Sequence, residues 1–115
     1  MRKILMFMLL LPALAAAQSG TGNVENGKRV FVKDGCSGCH GTVGEGGQAG
    51  ARLGPPRLSA PALIAYVRRP GGQMPAFSEK VLSNSDLTDI YAYLKSIPEP
   101  KAVKDIPLLD GARNQ

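Results

Sequence analysis

Apolar and polar positions along this 115-residue chain fall into three helical patterns separated by glycine- and proline-rich stretches. From Val24 to Lys33, Val24, Gly27, Val30 and Phe31 recur at three- and four-residue spacings and so share one face of a helix. Asn23 can cap its start and Gly35 can end it. A shorter pattern, Ala62 to Arg69, has Pro61 in its first turn and Pro70 after its end, the two places where a helix tolerates or requires proline. The third runs from Asp86 to Ile97, with Ser83 or Ser85 as cap. Leu87, Ile90, Tyr91 and Leu94 lie along one side, and Pro98 stops it. Asp86 and Asp89 sit at the end that attracts negative charge, and Lys95 at the end that attracts positive charge. Between the helices lie a Gly-rich loop, Gly41 to Leu58, ending in Pro55-Pro56, and an irregular segment, Gly71 to Ser83, containing Met74-Pro75. No stretch alternates with period two and none repeats, so the fold class is all-α.

The first residues read differently. Met1-Arg2-Lys3 is followed by an apolar run, Ile4 to Leu14, and by Ala15-Ala16-Ala17. A basic start, an apolar stretch of about 11 residues and a small-residue end are the marks of a cleaved secretory leader, and the run is shorter than the roughly 20 apolar residues that span a bilayer. The expected organisation is therefore a leader over residues 1–17, a single small domain over 18–97 and a proline-containing tail over 98–115. Cleavage removes Arg2 and Lys3, which leaves twelve basic against nine acidic residues. That excess is too small and scattered for a nucleic-acid footprint. Cleavage also removes Met1, Met6 and Met8, so that Met74 is the one methionine and His40 the one histidine of the remaining chain. With no tryptophan and few aromatics, a domain this small buries a thin core and leans on a crosslink or a cofactor.

Both cysteines and the histidine stand together in Cys36-Ser37-Gly38-Cys39-His40. A disulfide there would close a loop too short to restrict the unfolded chain much. A thioredoxin-type dithiol needs a βαβ setting that the pattern lacks. Zinc needs four ligands, and two thiolates with one imidazole leave it one short. Covalent haem uses all three: the thiols add to the vinyl groups, and the residue after the second cysteine reaches the iron. A helical turn over the motif puts both sulfurs at one haem edge with His40 beneath the metal. The opposite side of the iron then calls for a thioether or a second imidazole. Met74, in the glycine-relieved run Gly71-Gly72-Gln73-Met74-Pro75, is the available donor; the lysines must first lose a proton. Gly44-Glu45-Gly46-Gly47-Gln48-Ala49 formally fits a dinucleotide fingerprint, but no strand precedes it and no helix follows, so it reads as flexible loop.

With these pieces in order (Cys36 to His40, then Gly54-Pro55-Pro56, Met74-Pro75-Ala76-Phe77, and Asp86-Leu87 through Ala92-Tyr93-Leu94) the chain resembles class I c-type cytochromes over nearly all of its length after the leader. The resemblance implies a cytochrome c fold, three main helices and loops wrapped around one covalent haem c. It implies that Gly27 and Phe31 pack the first helix on Ile90 and Tyr93 of the last. Pro55 would offer its carbonyl to the far ring nitrogen of His40, and Met74 would be the distal ligand. The chain departs from the family pattern in its longer loop between His40 and Gly54 and in its tail. Tyr66, Arg68 and Arg69 are candidates for a haem propionate, where a guanidinium fork fits a carboxylate. Lys28, Arg29, Lys33, Arg52 and Arg57 lie in segments around the cysteine-bound edge and would give a weakly basic rim. In the tail, Ile106-Pro107-Leu108-Leu109 is too apolar for a pure linker and would pack on the body or on a partner.

The function expected is that of a periplasmic, monomeric monohaem electron carrier and not an enzyme, because two permanent axial ligands leave the iron no open position. Its partners would be redox proteins, a dehydrogenase or a membrane respiratory complex, with no nucleic acid and no stable membrane insertion once the leader is gone. The alternatives are a cytochrome subunit bound to one dehydrogenase by its tail, and an open-site ligand-binding or peroxidase-like haem protein.

Overall fold

A computed structural model describes residues 21–107. The leader segment, residues 1–17, and Leu108 to Gln115 lie outside the described residues. The order is α1 (Val24–Lys33), α2 (Cys36–His40), α3 (Ala60–Arg68), α4 (Asn84–Ser96) and a 3-10 turn at Val103–Asp105. Among the described residues there is no strand, and the fold is all-α.

Each helix starts where a side chain can replace a missing backbone partner. The Asn23 side chain accepts the Asn26 N–H at 2.9 Å, and α1 ends where Gly35 turns left-handed at φ 82°, a conformation that costs glycine little. Helix α3 begins two residues before the expected Ala62, because Ser59 caps it and Ala60-Pro61 fill its first turn. Helix α4 likewise begins at Asn84 and not at Asp86. Ser83 and Asp86 form a reciprocal capping box, and the Ser83 hydroxyl, the main cause, holds the Asp86 carboxyl below its ordinary pKa. Two unpaired donors are satisfied at once by such a box.

The core sits where α1 crosses α4. Val30 and Phe31 from α1 are buried with Leu87, Ile90, Tyr93 and Leu94 from α4, joined by Leu63 of α3 and Leu82. Gly27 is buried at the crossing, and a β-carbon there would overlap the Asp89 carbonyl and stand 2.8 Å from the Ile90 nitrogen. One turn along, the Phe31 and Tyr93 rings meet at 5.7 Å between centroids, tilted by 57°, within the range aromatic pairs prefer. Gly27 and Phe31 therefore pack against Ile90 and Tyr93 as the sequence pattern implied. Asp89 adds a polar latch: its carboxylate accepts the Asn23 backbone N–H and the Asn26 side-chain amide, both at 2.6 Å. Tyr91, expected on the core face, is half-buried. Its place inside is taken by Tyr93, which is 5% exposed, while Lys95 lies over the Tyr91 ring at 5.9 Å.

The crossing sets a prediction. Gly27→Ala improves helix propensity by about 1 kcal/mol but forces the two backbones apart, and overpacking of this kind costs about 1–3 kcal/mol. Denaturant unfolding should show a lower midpoint for the variant; an unchanged or raised midpoint would mean that the crossing yields freely.

Candidate haem site

Helix α2 is a single short turn held at both ends by left-handed glycines, Gly35 at φ 82° and Gly41 at φ 84°. Gly35 lets the chain leave α1 and re-enter a helix within two residues, with the Gly38 N–H returning to the Gly35 carbonyl at 3.1 Å. Three positions apart on a helix, Cys36 and Cys39 are neighbours on one face. Cys36 is half-buried and packs on the core cluster, Cys39 is exposed, and both thiols are unbridged. Burial, with help from the nearby Asp34 carboxylate, pushes the Cys36 thiol above its ordinary pKa. A redox dithiol needs the opposite shift, since the thiolate is the nucleophile. Nor do Cys36, Cys39 and His40 converge on one ion: among the described residues no group of three or more Cys, His, Asp or Glu could hold a metal. The three side chains address separate points, as attachment to a large flat group demands.

The orientation of His40 comes from the loop that follows it. The Gly46 N–H donates to the His40 carbonyl at 2.7 Å, and Gly47 N–H to Gly50 O at 2.9 Å. Gly50 then passes so close to α2 that a β-carbon would lie 2.7 Å from the Cys39 carbonyl oxygen and 2.9 Å from His40 Nδ1. The next carbonyl, that of Ala51, receives His40 Nδ1 at 2.7 Å. A carbonyl oxygen only accepts, so Nδ1 carries the proton and Nε2 keeps the lone pair of the neutral ring. That is the tautomer of a metal-ligating imidazole, and the bond fixes the ring's orientation.

Pro55 was the expected acceptor, and the structure gives Ala51 instead. The Leu53 and Gly54 N–H groups turn back to the Gly44 carbonyl at 2.9 and 3.0 Å, and Arg52 Nε donates to the Gly54 carbonyl at 2.6 Å. These bonds fold the chain at Leu53 and Gly54, so the longer loop brings Ala51 to the ring before Pro55 is reached. Glu45 braces the near side of the loop. Its carboxylate accepts the Val43 N–H at 2.8 Å and the Thr42 hydroxyl at 3.4 Å, and backbone donors, its own first, hold it below the ordinary carboxylate pKa. Gly50, Ala51, Arg52 and Glu45 were not singled out for this task by the sequence. The density of glycines from Gly44 to Gly50 was the available signal, since such a run lets backbone approach backbone closely.

Met74 stands on a different element, half-buried in the segment between α3 and α4. Both ends of its loop return to α3. The Gly71 N–H donates to the Tyr66 hydroxyl at 3.3 Å, and the Phe77 N–H to the Val67 carbonyl at 3.2 Å. Arg68 reinforces the second tie, with Nη1 on the Phe77 carbonyl at 2.9 Å and Nη2 on Asn84 Oδ1 at 2.7 Å. Tyr66 and Arg68, expected at a propionate, are thus bonded to the protein itself because they are the nearest polar groups to this loop's two ends. Arg69 is exposed at the C-cap of α3. Of the expected basic rim, Lys28 and Arg57 are exposed, Lys33 pairs with Asp34 at 3.4 Å, Arg29 bonds Asn26 and Arg52 is spent on the loop.

The residues present fit a covalent haem. Two unbridged thiols lie on one helical face, the imidazole beside them has its Nε2 lone pair free, and a thioether is half-exposed. Leu53, Ile64, Val67 and Phe77 pack on the core yet are only partly covered, and Leu58 and Tyr66 are each 47% exposed. Such apolar surface, on the elements around α2 and the Met74 loop, is what a flat apolar group would cover. No helix of the described residues is long and apolar enough to cross a membrane. No curated protein and no solved structure matches the chain. A family of known proteins does: residues 22–94 match the family described as cytochrome c oxidase, cbb3-type, subunit III, which takes in both cysteines, His40, Met74 and the α1–α4 crossing, and the chain belongs to that family of small c-type cytochrome domains.

Proposed function

We propose that this chain is an exported monohaem electron carrier whose iron is held between His40 and Met74. A c-type cytochrome domain carries haem c covalently and works by haem-based electron transfer; what is proposed for this chain is the ligand pair, the compartment and the range of partners. The observation that carries the reading is the His40–Ala51 bond at 2.7 Å. It leaves Nε2 as the free donor directly after two unbridged cysteines.

When bound, the haem supplies an iron that cycles by one electron. Cys36 and Cys39 supply the covalent tether, which keeps the cofactor from loss outside the cell. His40 would hold the iron through Nε2, and Ala51 keeps its ring in the ligating tautomer. Met74 would offer its thioether from the opposite side, on a loop whose two ends are fixed to α3. Half-buried Leu53 and Phe77 are apolar surface that a bound haem would cover. With the iron held by both donors, no open position would remain for a substrate, which favours electron transfer over catalysis. The leader pattern supports export to the periplasm. The partners proposed are redox proteins, a dehydrogenase or a membrane respiratory complex; the family's description as an oxidase subunit supports that class.

Three outcomes test the reading. The exported protein should have the mass of Gln18 to Gln115 plus one haem that survives acid-acetone extraction; mass spectrometry showing an intact leader or a haem that washes out would overturn it. Met74→Ala should keep the haem attached, abolish the far-red sulfur-to-iron absorption of the oxidised form and open the iron to carbon monoxide. Its potential should fall by roughly 0.1–0.3 V, a fraction of the ~0.8 V that axial ligation spans. A variant that keeps the band and excludes carbon monoxide would remove Met74 from the iron.

Gly50→Ala tests the opposite face. Its β-carbon displaces the loop from His40 and weakens the Ala51 bond, making the imidazole a poorer donor to oxidised iron. A hydrogen bond worth roughly 0.5–1.5 kcal/mol corresponds to roughly 20–65 mV for one electron, so protein-film voltammetry should show a rise of that order. No change in potential would show that the Ala51 carbonyl does not tune the ring.

A further inference from the structure

The α1–α4 pair carries a groove lined by none of the residues assigned to the haem site. Its volume is about 400 Å³, and Val24, Ala60, Thr88, Tyr91, Ala92 and Lys95 line it, with Thr21 and Gly22 at one edge. The lining is mostly apolar, and Val24 is 44% exposed. At one end stands the Lys95 ammonium, held over the Tyr91 ring at 5.9 Å. The groove thus offers a strip of apolar surface finished by a positive charge.

We propose that the C-terminal segment Leu108-Leu109-Asp110 folds back into this groove and straps α1 to α4. Its chemistry matches in order: two large apolar side chains followed at once by a carboxylate. The tail is also long enough. About 3.3–3.6 Å per extended residue over the stretch from Ser96 to Leu108 reaches roughly 40 Å, whereas α4 with its 13 residues is only about 20 Å long. The 3-10 turn at Val103–Asp105 uses some of that reach and turns the chain. Every residue from Pro98 to Asp105 is exposed, and Ile106 is the first after Ile97 to be half-covered. Pro107 is exposed again, so Ile106 is the one half-covered position of the described tail.

The apolar pair supplies most of the binding, since an exposed ion pair adds little. The carboxylate sets direction and register along α4. Seated in this way, the strap covers Val24 and Tyr91 and strengthens the crossing.

The test uses the haem-loaded protein, complete and ended after Pro107. Amide spectra of the two should differ at Val24, Thr88, Tyr91 and Ala92, and the shortened chain should melt several degrees lower with its visible spectrum unchanged. In the complete chain, Leu108→Asp with Leu109→Asp should reproduce both effects. Asp110→Lys should lower the melting temperature by less, and Lys95→Glu should recover that loss in the Asp110→Lys background and not in the native one. Amide positions in the groove that ignore the truncation would overturn the strap. So would groove shifts that grow with protein concentration, which would put the tail of a second copy there.

Discussion

The contact on which the molecule depends is the approach of α1 to α4 at Gly27. No side chain separates the two backbones there, and a single methyl would overlap the Asp89 carbonyl. That closeness brings the Phe31 and Tyr93 rings into contact, lets Asp89 reach the amides at the start of α1, and buries Val30, Ile90 and Leu94 between them. Helix α2 is joined to α1 through one left-handed glycine, so Cys36 and His40 inherit their place from the same crossing. In a chain with no tryptophan and few aromatic residues, this one dry contact does most of what a larger core would share among many.

The parts of the fold that arise locally were legible in the sequence. Helix α1 ran as expected from Val24 to Lys33 with Asn23 as its cap, since an amphipathic stripe and a short polar cap are written within ten residues. The Gly27–Phe31 face could be read because glycine on a helix stripe has few other uses. Helices α3 and α4 began two residues early. There the choice among competing cap residues, Ser59 for α3 and Ser83 over Ser85 for α4, is settled by which hydroxyl reaches a free N–H, and periodicity does not carry that. Tyr91 and Tyr93 differ for a similar reason: both suit the stripe, and the position of Phe31 decides which ring goes inside.

At the site, the donor types could be read and their supports could not. Cys36, Cys39, His40 and Met74 are scarce residues with specific chemistry, and the family match spans all four. Ala51 and Gly50 carry no chemistry of their own. Ala51 acts through its backbone carbonyl, Gly50 through the absence of a side chain, and neither property marks one residue out from its neighbours in a loop rich in glycine. Tyr66 and Arg68 show the converse. Their side chains do advertise binding, yet the groups they bind are the Gly71 amide and the Phe77 carbonyl, brought near only by the fold of the segment between them.

Both ties of the Met74 segment go to α3, and none of those ties goes to α1 or α2. The His40 ring, in turn, is fixed by the loop that leaves α2. On the proposed ligation the two axial donors are thus mounted on separate frames, each braced by its own hydrogen bonds before any metal arrives. Were iron held there, a change in its charge would meet donors whose supporting segments are already fixed. For an electron carrier that is the useful kind of stiffness, because nuclear rearrangement accompanying each transfer is a barrier that preorganised groups keep low.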